Sequence, residues 1–366
     1  MSSSNYIRWD APGVEKEQPN EKHDIQEVAG QFCRFQKLNL SEHGHCYRGT
    51  HLKTQGVVIG KLTVKDGLPE HLAQGMFKRP GTYDCAMRYS SLTPKHLPDT
   101  VPAPRGIGLK VFGVKGDKIF QTPDNETQDF LMNNYPILEL RTPRVTYEIA
   151  DSLERNWNDL PTFVNEQQAR PDAEVACRGG GLLQQHMAAM PEYSQSAYRH
   201  GAYVAKYGMF PKSQAQKDLA DWRVKATDPI NILATTLADF HADHEAVYSF
   251  CAQMLVDLDA QPVEDIGVEW DESRFPFEEI ATVTFPRQDS FNHAMRNYWN
   301  DYVTCNGWHG LVEHKPLGST NRARRVVYAE SRMLREKMNS VKPIIEPRSL
   351  ADFPVSLEQL SMSTKA

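Results

Sequence analysis

Hydrophobic and polar positions alternate in short runs from residue 56 onward. Residues 56–64 (GVVIGKLTV), 82–90 (TYDCAMRYS), 106–114 (GIGLKVFGV) and 128–133 (QDFLMN) are β-branched or alternating, and turn formers such as RPGTY and VPAPRG separate them. A two-residue period in runs of this length predicts strands, because successive side chains of a strand point to opposite faces. Strand character returns at 202–210, 246–255 and 279–285. Helical spacing predicts helices over 145–168, 230–243 and 319–339, with a loop at Gly179, Gly180 and Gly181. Residues 1–25 are polar and charged, which predicts an exposed N-terminal arm; residues 341–366 lack periodicity, which predicts a C-terminal tail. The class is α+β, a sheet-rich body flanked by helices, and the early strands suit an antiparallel barrel or sandwich.

The chain has 366 residues, room for two or three domains of about 150 residues or for one large domain with arms. Hydrophobic residues at 40% and charged residues at 24% exclude a fibrous or wholly disordered protein. A net charge of -6 without basic runs excludes nucleic acid as the main partner, since such binding rests on neutralising phosphates. No stretch approaches the ~18 apolar residues of a membrane span, and the N-terminus has no apolar signal core. A soluble, intracellular (cytoplasmic) protein is therefore expected. The cysteines at 33, 46, 85, 177, 251 and 305 form no CxxC pair and read as reduced thiols. No GxGxxG or GxxxxGK[ST] occurs, which removes the usual phosphate cradles.

Chemistry concentrates on the last predicted helix. Arg324, Tyr328 and Arg335 fall on one face, because spacings of four and seven residues return to the same side. A cation beside a phenol favours the phenolate, a hard ligand suited to ferric iron. Read alone, the same residues describe a solvated Arg-rich face with one half-buried aromatic.

Residues 308–335 (WHGLVEHKPLGSTNRARRVVYAESRMLR) resemble the haem-ligand segment of small catalase-like proteins, and 47–64 (YRGTHLKTQGVVIGKLTV) resembles their distal histidine segment. Between them GTYDCAMRYSS, DTVPAPRGIGLKVFGV and TQDFLMNNYPI resemble the family's strands in the same order, and 193–207 (YSQSAYRHGAYVAKY) resembles the short catalase-related group. The resemblance spans about residues 29–340. It implies a catalase-like antiparallel β-barrel with flanking helices and a C-terminal haem-ligand helix, in a haem-binding domain over 26–340. It implies haem b with Tyr328 as its iron ligand, the role tyrosine has in catalase, and Arg324 as the cation beside it. His51 is then the distal base, Asn133 the distal amide and Ser90 the partner that fixes the imidazole tautomer. Arg48, Arg88 and Arg335 are the implied clamp on the haem propionates.

Three departures from catalases bear on the reaction. Thr50 stands before the distal His where catalases usually carry Val, as in catalase-related allene oxide synthases, whose hydroxyl can bond the imidazole. Leu138, Glu139 and Thr146 occupy a region where catalases place phenylalanines over the haem, which predicts a wider pocket. Only about 27 residues follow Asn339, so the long extension of full-size catalases is missing. The expected function is a haem-dependent oxidoreductase consuming hydrogen peroxide or an organic hydroperoxide, as a peroxidase or weak catalase. The alternative is rearrangement or oxygenation of an organic hydroperoxide, and a haem carrier or sensor is the non-enzymatic rival. Expected partners are peroxide, an organic co-substrate and further copies of the chain in a homodimer or homotetramer.

Several constellations carry less. His43, His45 and Cys46 lack the distant second pair that a tetrahedral zinc site needs. His241 and His244 lack an HExxH pattern and read as surface or interface residues. Cys305 competes with Tyr328 as a ligand without matching context, and the sequon at Asn125 has no meaning without a secretion signal.

Overall fold

The computed structural model describes residues 5–120, 126–182, 184–340 and 346–363; the Asn125 sequon lies outside the described residues. Among the described residues nine antiparallel strands follow the chain as β1 (Lys53–Val64), β2 (Gly81–Ser91), β3 (Arg105–Phe112), β4 (Thr127–Asn133), β5 (Glu192–Tyr193), β6 (Tyr198–His200), β7 (Tyr203–Pro211), β8 (Ala246–Met254) and β9 (Phe277–Phe285). They join in the order β5-β4-β3-β2-β1-β9-β8-β7-β6, and a β5–β7 pairing closes eight of them into a barrel. The ninth, β6, lies beside β5 along the same edge of β7. Closure removes the open edges that would otherwise invite pairing with other chains.

The barrel interior is the main core. Met87, Tyr89, Leu109, Phe130, Met132, Tyr207, Phe250 and Ile280 fill it, contributed by alternate residues of their strands. The four strands expected at the N-terminal end appear within three residues of their sequence bounds, as do those at 203–211, 246–254 and 277–285. Helices pack outside. They are α1 (Glu21–His43), α2 (Pro143–Arg155), α3 (Leu160–Gln168), three single turns α4 (Ala173–Ala176), α5 (Arg178–Gly181) and α6 (Gln214–Lys217), then α7 (Ile232–Asp243), α8 (His293–Tyr302), α9 (Ser319–Met338) and α10 (Leu357–Ser363).

Some expectations need correction. The single helix expected over 145–168 is two, because Asp159 caps Thr162 N and Pro161 starts a new helix. The glycine loop at 179–181 is the helical turn α5. Residues 5–20 are not an exposed arm: Ile7 N donates to Leu255 O at 2.9 Å and Val14 is buried with Leu255 and Trp270. Arg322 of α9 then binds Glu15, Glu21 of α1 and Glu264 together. The C-terminal segment is tied down likewise, with Phe353 and Leu360 buried against Met295 and Trp299 of α8. No helix among the described residues is long and apolar enough to cross a membrane.

Candidate functional site

The outer face of β2, β3 and β4 forms one wall of a cavity. Cross-strand register sets that wall in two rows. Ser90 pairs with Gly106 and Gly106 with Asn133; two residues along, Arg88 pairs with Gly108 and Gly108 with Leu131. Tyr89, Ile107 and Met132, between them in sequence, turn into the barrel core. The facing wall is the side of α9 that carries Arg324, Tyr328, Ser331 and Arg335. Residues 48–51, Phe32 of α1, and Trp299, Thr304 and Cys305 around the end of α8 close the sides. The nine residues given catalytic or haem-binding roles in the sequence, Arg48, Thr50, His51, Arg88, Ser90, Asn133, Arg324, Tyr328 and Arg335, line this one cavity.

His51 is held in a sparsely populated backbone conformation, with φ at +50°. Its N–H donates to Leu92 O at 3.0 Å and its carbonyl accepts from Arg88 at 2.6 Å, so both sides of the residue are pinned. Ser90 Oγ donates to Gly106 O at 3.1 Å, and that carbonyl can only accept. The 2.9 Å contact between Ser90 Oγ and His51 Nδ1 is therefore donated by the imidazole, leaving Nε2 bare. Burial, then Arg88, Arg324 and Arg48, push the His51 pKa down to about 3. The ring is neutral and a proton acceptor across the physiological range.

A second network orients Asn133. Gln195 Nε2 donates to the carbonyls of Tyr135 and Ile137, so its Oε1 accepts from Asn133 Nδ2 at 2.9 Å. This turns Asn133 Oδ1 toward Gly106, where a Cβ would lie 2.2 Å from Asn133 Oδ1 and 2.8 Å from His51 Cε1. Gly106 is thus the floor on which both side chains rest. Neither Gly106 nor Gln195 was singled out in the sequence; Gln195, with φ at +60°, has no sequence signal of its role.

Three guanidinium groups share the other end. Arg48 donates to the carbonyls of Trp299, Asn300 and Val303, and Arg335 to that of Asn300 at 2.6 Å, so both cap the C-terminus of α8. Arg88 Nε donates to Thr54 Oγ1 at 2.7 Å. Among the described residues none of the three makes an ion pair, and buried Arg335 Nε has no partner. Burial lowers all three pKa values, Arg88 to about 9; Arg335 adds to the fall at Arg48 and Arg88, while Asp301 opposes it at Arg48 and Arg335. Such a cluster, offset only in part by Asp301, is costly to bury and favours an anion beside it. On α9, Arg324 donates to Ser196 Oγ at 2.9 Å and Asn321 Oδ1 at 3.2 Å.

The structure alters four readings. Arg324 does lower the Tyr328 phenol, but burial outweighs it and the net shift is upward, so the cation alone does not ionise this phenol. Thr50 Oγ1 spends its one proton on Leu92 O at 2.8 Å and cannot donate to the imidazole. Leu138, Glu139 and Thr146 do not line the cavity; Thr146 Oγ1 bonds Leu140 O and Thr142 O within its own turn. The wider pocket inferred from them loses its basis. His241 is not a surface residue but fully buried, 3.2 Å from Tyr89 Oη. Cys305 does reach the cavity, and burial keeps its thiol protonated. His45 pairs with Asp301 at 3.0 Å, and no metal-holding group of His, Cys, Asp or Glu occurs among the described residues.

No family model matches the chain, and no curated protein matches it. Solved structures do. A fungal catalase superposes with a TM-score of 0.60 at 16% identity, over 88% of this chain and 67% of that one. Catalase A from Saccharomyces cerevisiae gives 0.60 at 16%, over 88% and 70%. A bacterial catalase gives 0.58 at 14%, over 97% and 69%. At such identity the likeness speaks for architecture, and it agrees with the closed barrel and the helices outside it: the chain has the catalase-like fold.

Proposed function

We propose that the cavity holds haem b, with Tyr328 as the iron ligand, and that the chain is a peroxide-consuming haem oxidoreductase. The observation that carries this reading is the trio Arg48, Arg88 and Arg335. Arg88 and Arg335 are buried and Arg48 half-buried, none of them makes an ion pair among the described residues, and they share a cavity with Tyr328 and His51, where two propionates would supply a counter-charge. Bound haem iron supplies the two-electron redox chemistry that cleaves an O–O bond. The chain's own residues supply the proton handling. His51 Nε2 accepts a proton from one peroxide oxygen and returns it to the other, while Ser90 keeps the tautomer that makes this possible. The second amide hydrogen of Asn133 Nδ2 is free to bond the leaving oxygen, because only one is given to Gln195. Arg324 opposes the burial penalty on the Tyr328 phenolate, and a bound ferric iron would supply the rest of its stabilisation.

A peroxidase or weak catalase fits these residues, with hydrogen peroxide or an organic hydroperoxide as oxidant. The rearrangement reading rested on Thr50, whose hydroxyl is occupied. Incubation of the purified chain with haem should give a Soret band that Tyr328→Phe weakens. His51→Ala should retain the band and slow the reaction with peroxide by roughly 10² to 10⁴. Absence of a Soret band, or full peroxide reactivity in His51→Ala, would overturn the proposal.

A further inference from the structure

Within the barrel a phenol sits between two imidazoles. Tyr207 Oη is 3.0 Å from His200 Nδ1 and 3.0 Å from His314 Nδ1, and all three residues are fully buried. The remaining ring nitrogens fix the direction of each bond. His200 Nε2 lies 3.0 Å from Leu72 O, which only accepts, so that nitrogen carries the proton and Nδ1 is bare. His314 Nε2 receives the Met76 N–H at 3.0 Å, so it is bare and Nδ1 carries the proton. The Tyr207 hydroxyl therefore donates to His200, while His314 donates to the phenol oxygen.

This differs from a phenol bonded to a carbonyl, the commoner way to satisfy a buried tyrosine. A carbonyl cannot take the proton; a bare imidazole can. Burial lowers the His200 pKa to about 4 and raises that of Tyr207, so before oxidation the proton stays on the phenol. Loss of an electron makes a phenol strongly acidic, and the proton then has an acceptor at hydrogen-bond distance. Phe77, Phe130 and Phe250 pack around the Tyr207 ring and offer no easily oxidised neighbour.

The pair is also connected to the cavity. The Tyr198 ring lies 5.5 Å from that of Tyr207, centroid to centroid. Burial pushes the Tyr198 phenol up to about 12 against the pull of Arg324, a residue of the cavity wall that donates to Ser196 Oγ at 2.9 Å. An aromatic step thus bridges the α9 wall and the barrel interior.

We propose that Tyr207 is an internal one-electron donor, which gives an electron through Tyr198 to an oxidised group in the cavity and its proton to His200 Nδ1. The inference rests on the haem reading, because the oxidant is haem that peroxide has oxidised by two electrons. One of those two equivalents is filled by Tyr207. The products are a neutral tyrosyl radical and an imidazolium whose Nδ1–H and Nε2–H are held by Tyr207 Oη and Leu72 O. A small one-electron reductant of the phenol or ascorbate class restores the phenol, and the proton returns from His200.

The test is to mix the haem-loaded chain with one equivalent of hydrogen peroxide without reductant, freeze it, and record electron paramagnetic resonance. A tyrosyl radical is expected, with a signal that narrows when the chain carries ring-deuterated tyrosine. Tyr207→Phe should keep the Soret band and lose that signal. Tyr198→Phe leaves the Tyr207 hydrogen bonds in place and should lower the radical yield, which keeps the test decisive if Tyr207→Phe does not fold. A radical signal unchanged in either variant, or no radical in a chain that takes up haem and reacts with peroxide, overturns this inference and leaves the haem reading intact. Failure to take up haem overturns both.

Discussion

Arg335→Met should act with opposite sign on the free and the haem-loaded chain. In the free chain Arg335 is 5% exposed, makes no ion pair among the described residues, leaves Nε unpartnered and shares its cavity with Arg48 and Arg88. Its loss forfeits the hydrogen bond to Asn300 O, about 1.5–3 kcal/mol for a charged donor. The substitution also removes a desolvated cation, and apolar replacement of buried charges is commonly neutral or stabilising by about 1–4 kcal/mol. The two nearly offset, so the urea midpoint of the free chain should stay the same or rise. With haem bound, the same change leaves a propionate without its partner, at about 2–5 kcal/mol. That corresponds to haem affinity weaker by roughly 30-fold to several thousand-fold. Urea unfolding of the free chains and titration of the Soret band read the two signs separately. If the free variant loses more than about 3 kcal/mol while haem affinity is unchanged, Arg335 is a structural cap on α8 and the anion-clamp reasoning fails.

Three further outcomes follow from the geometry. Gly106→Ala places a Cβ 2.5 Å from Met132 O and against both Asn133 and His51, so it should cost about 1–3 kcal/mol in chemical unfolding and slow the peroxide reaction without removing Tyr328-dependent haem uptake; wild-type kinetics would count against Gly106 as the floor of the site. Thr50→Val removes the bond to Leu92 O, so stability should fall by about 1 kcal/mol with the product profile from hydroperoxides unchanged; a switch between rearranged and reduced products would show that the hydroxyl acts on the imidazole after all. His51, His200 and His241 have folded pKa values near 3, 4 and 3 against an ordinary 6.5, so below pH 6.5 the unfolded chain binds protons that the folded chain refuses. Their contribution is fully present above that pH and is lost as pH falls toward 4, each at up to about 1.4 kcal/mol per unit. Urea midpoints between about pH 7 and pH 5 should drop steeply, less so in His241→Phe, and a flat profile would contradict the burial of neutral imidazoles.

Most barrel strands were legible because they carry a two-residue period or a continuous apolar run between turn formers, as in β1 and β3, whereas the two-residue β5 that closes the barrel is too short to show a period. Helix α1 escaped. Its apolar residues Ile25, Val28, Ala29 and Phe35 recur at helical spacing, but buried Gln31, Gln36 and Asn39 interrupt them, and local periodicity does not foresee polar groups satisfied by distant carbonyls. Residues 5–20 and 346–363 read as loose because their few apolar side chains, Val14 and Phe353 among them, are buried by long-range contact. At the site, titratable and aromatic residues were found through resemblance to a family. The parts that seat them, Gly106 beneath His51 and Gln195 behind Asn133, depend on cross-strand register and backbone conformation, which a single sequence leaves unstated.

Alternation along β2, β3 and β4 gives neighbouring residues separate duties. Met87 and Tyr89 answer to the barrel interior, while Arg88 and Ser90 answer to the cavity. Substitutions at one parity can therefore reshape what the protein accommodates while those at the other parity decide whether it folds. A library confined to the outward positions would explore new chemistry on an intact scaffold, and one shifted by a single residue would mostly yield unfolded chains.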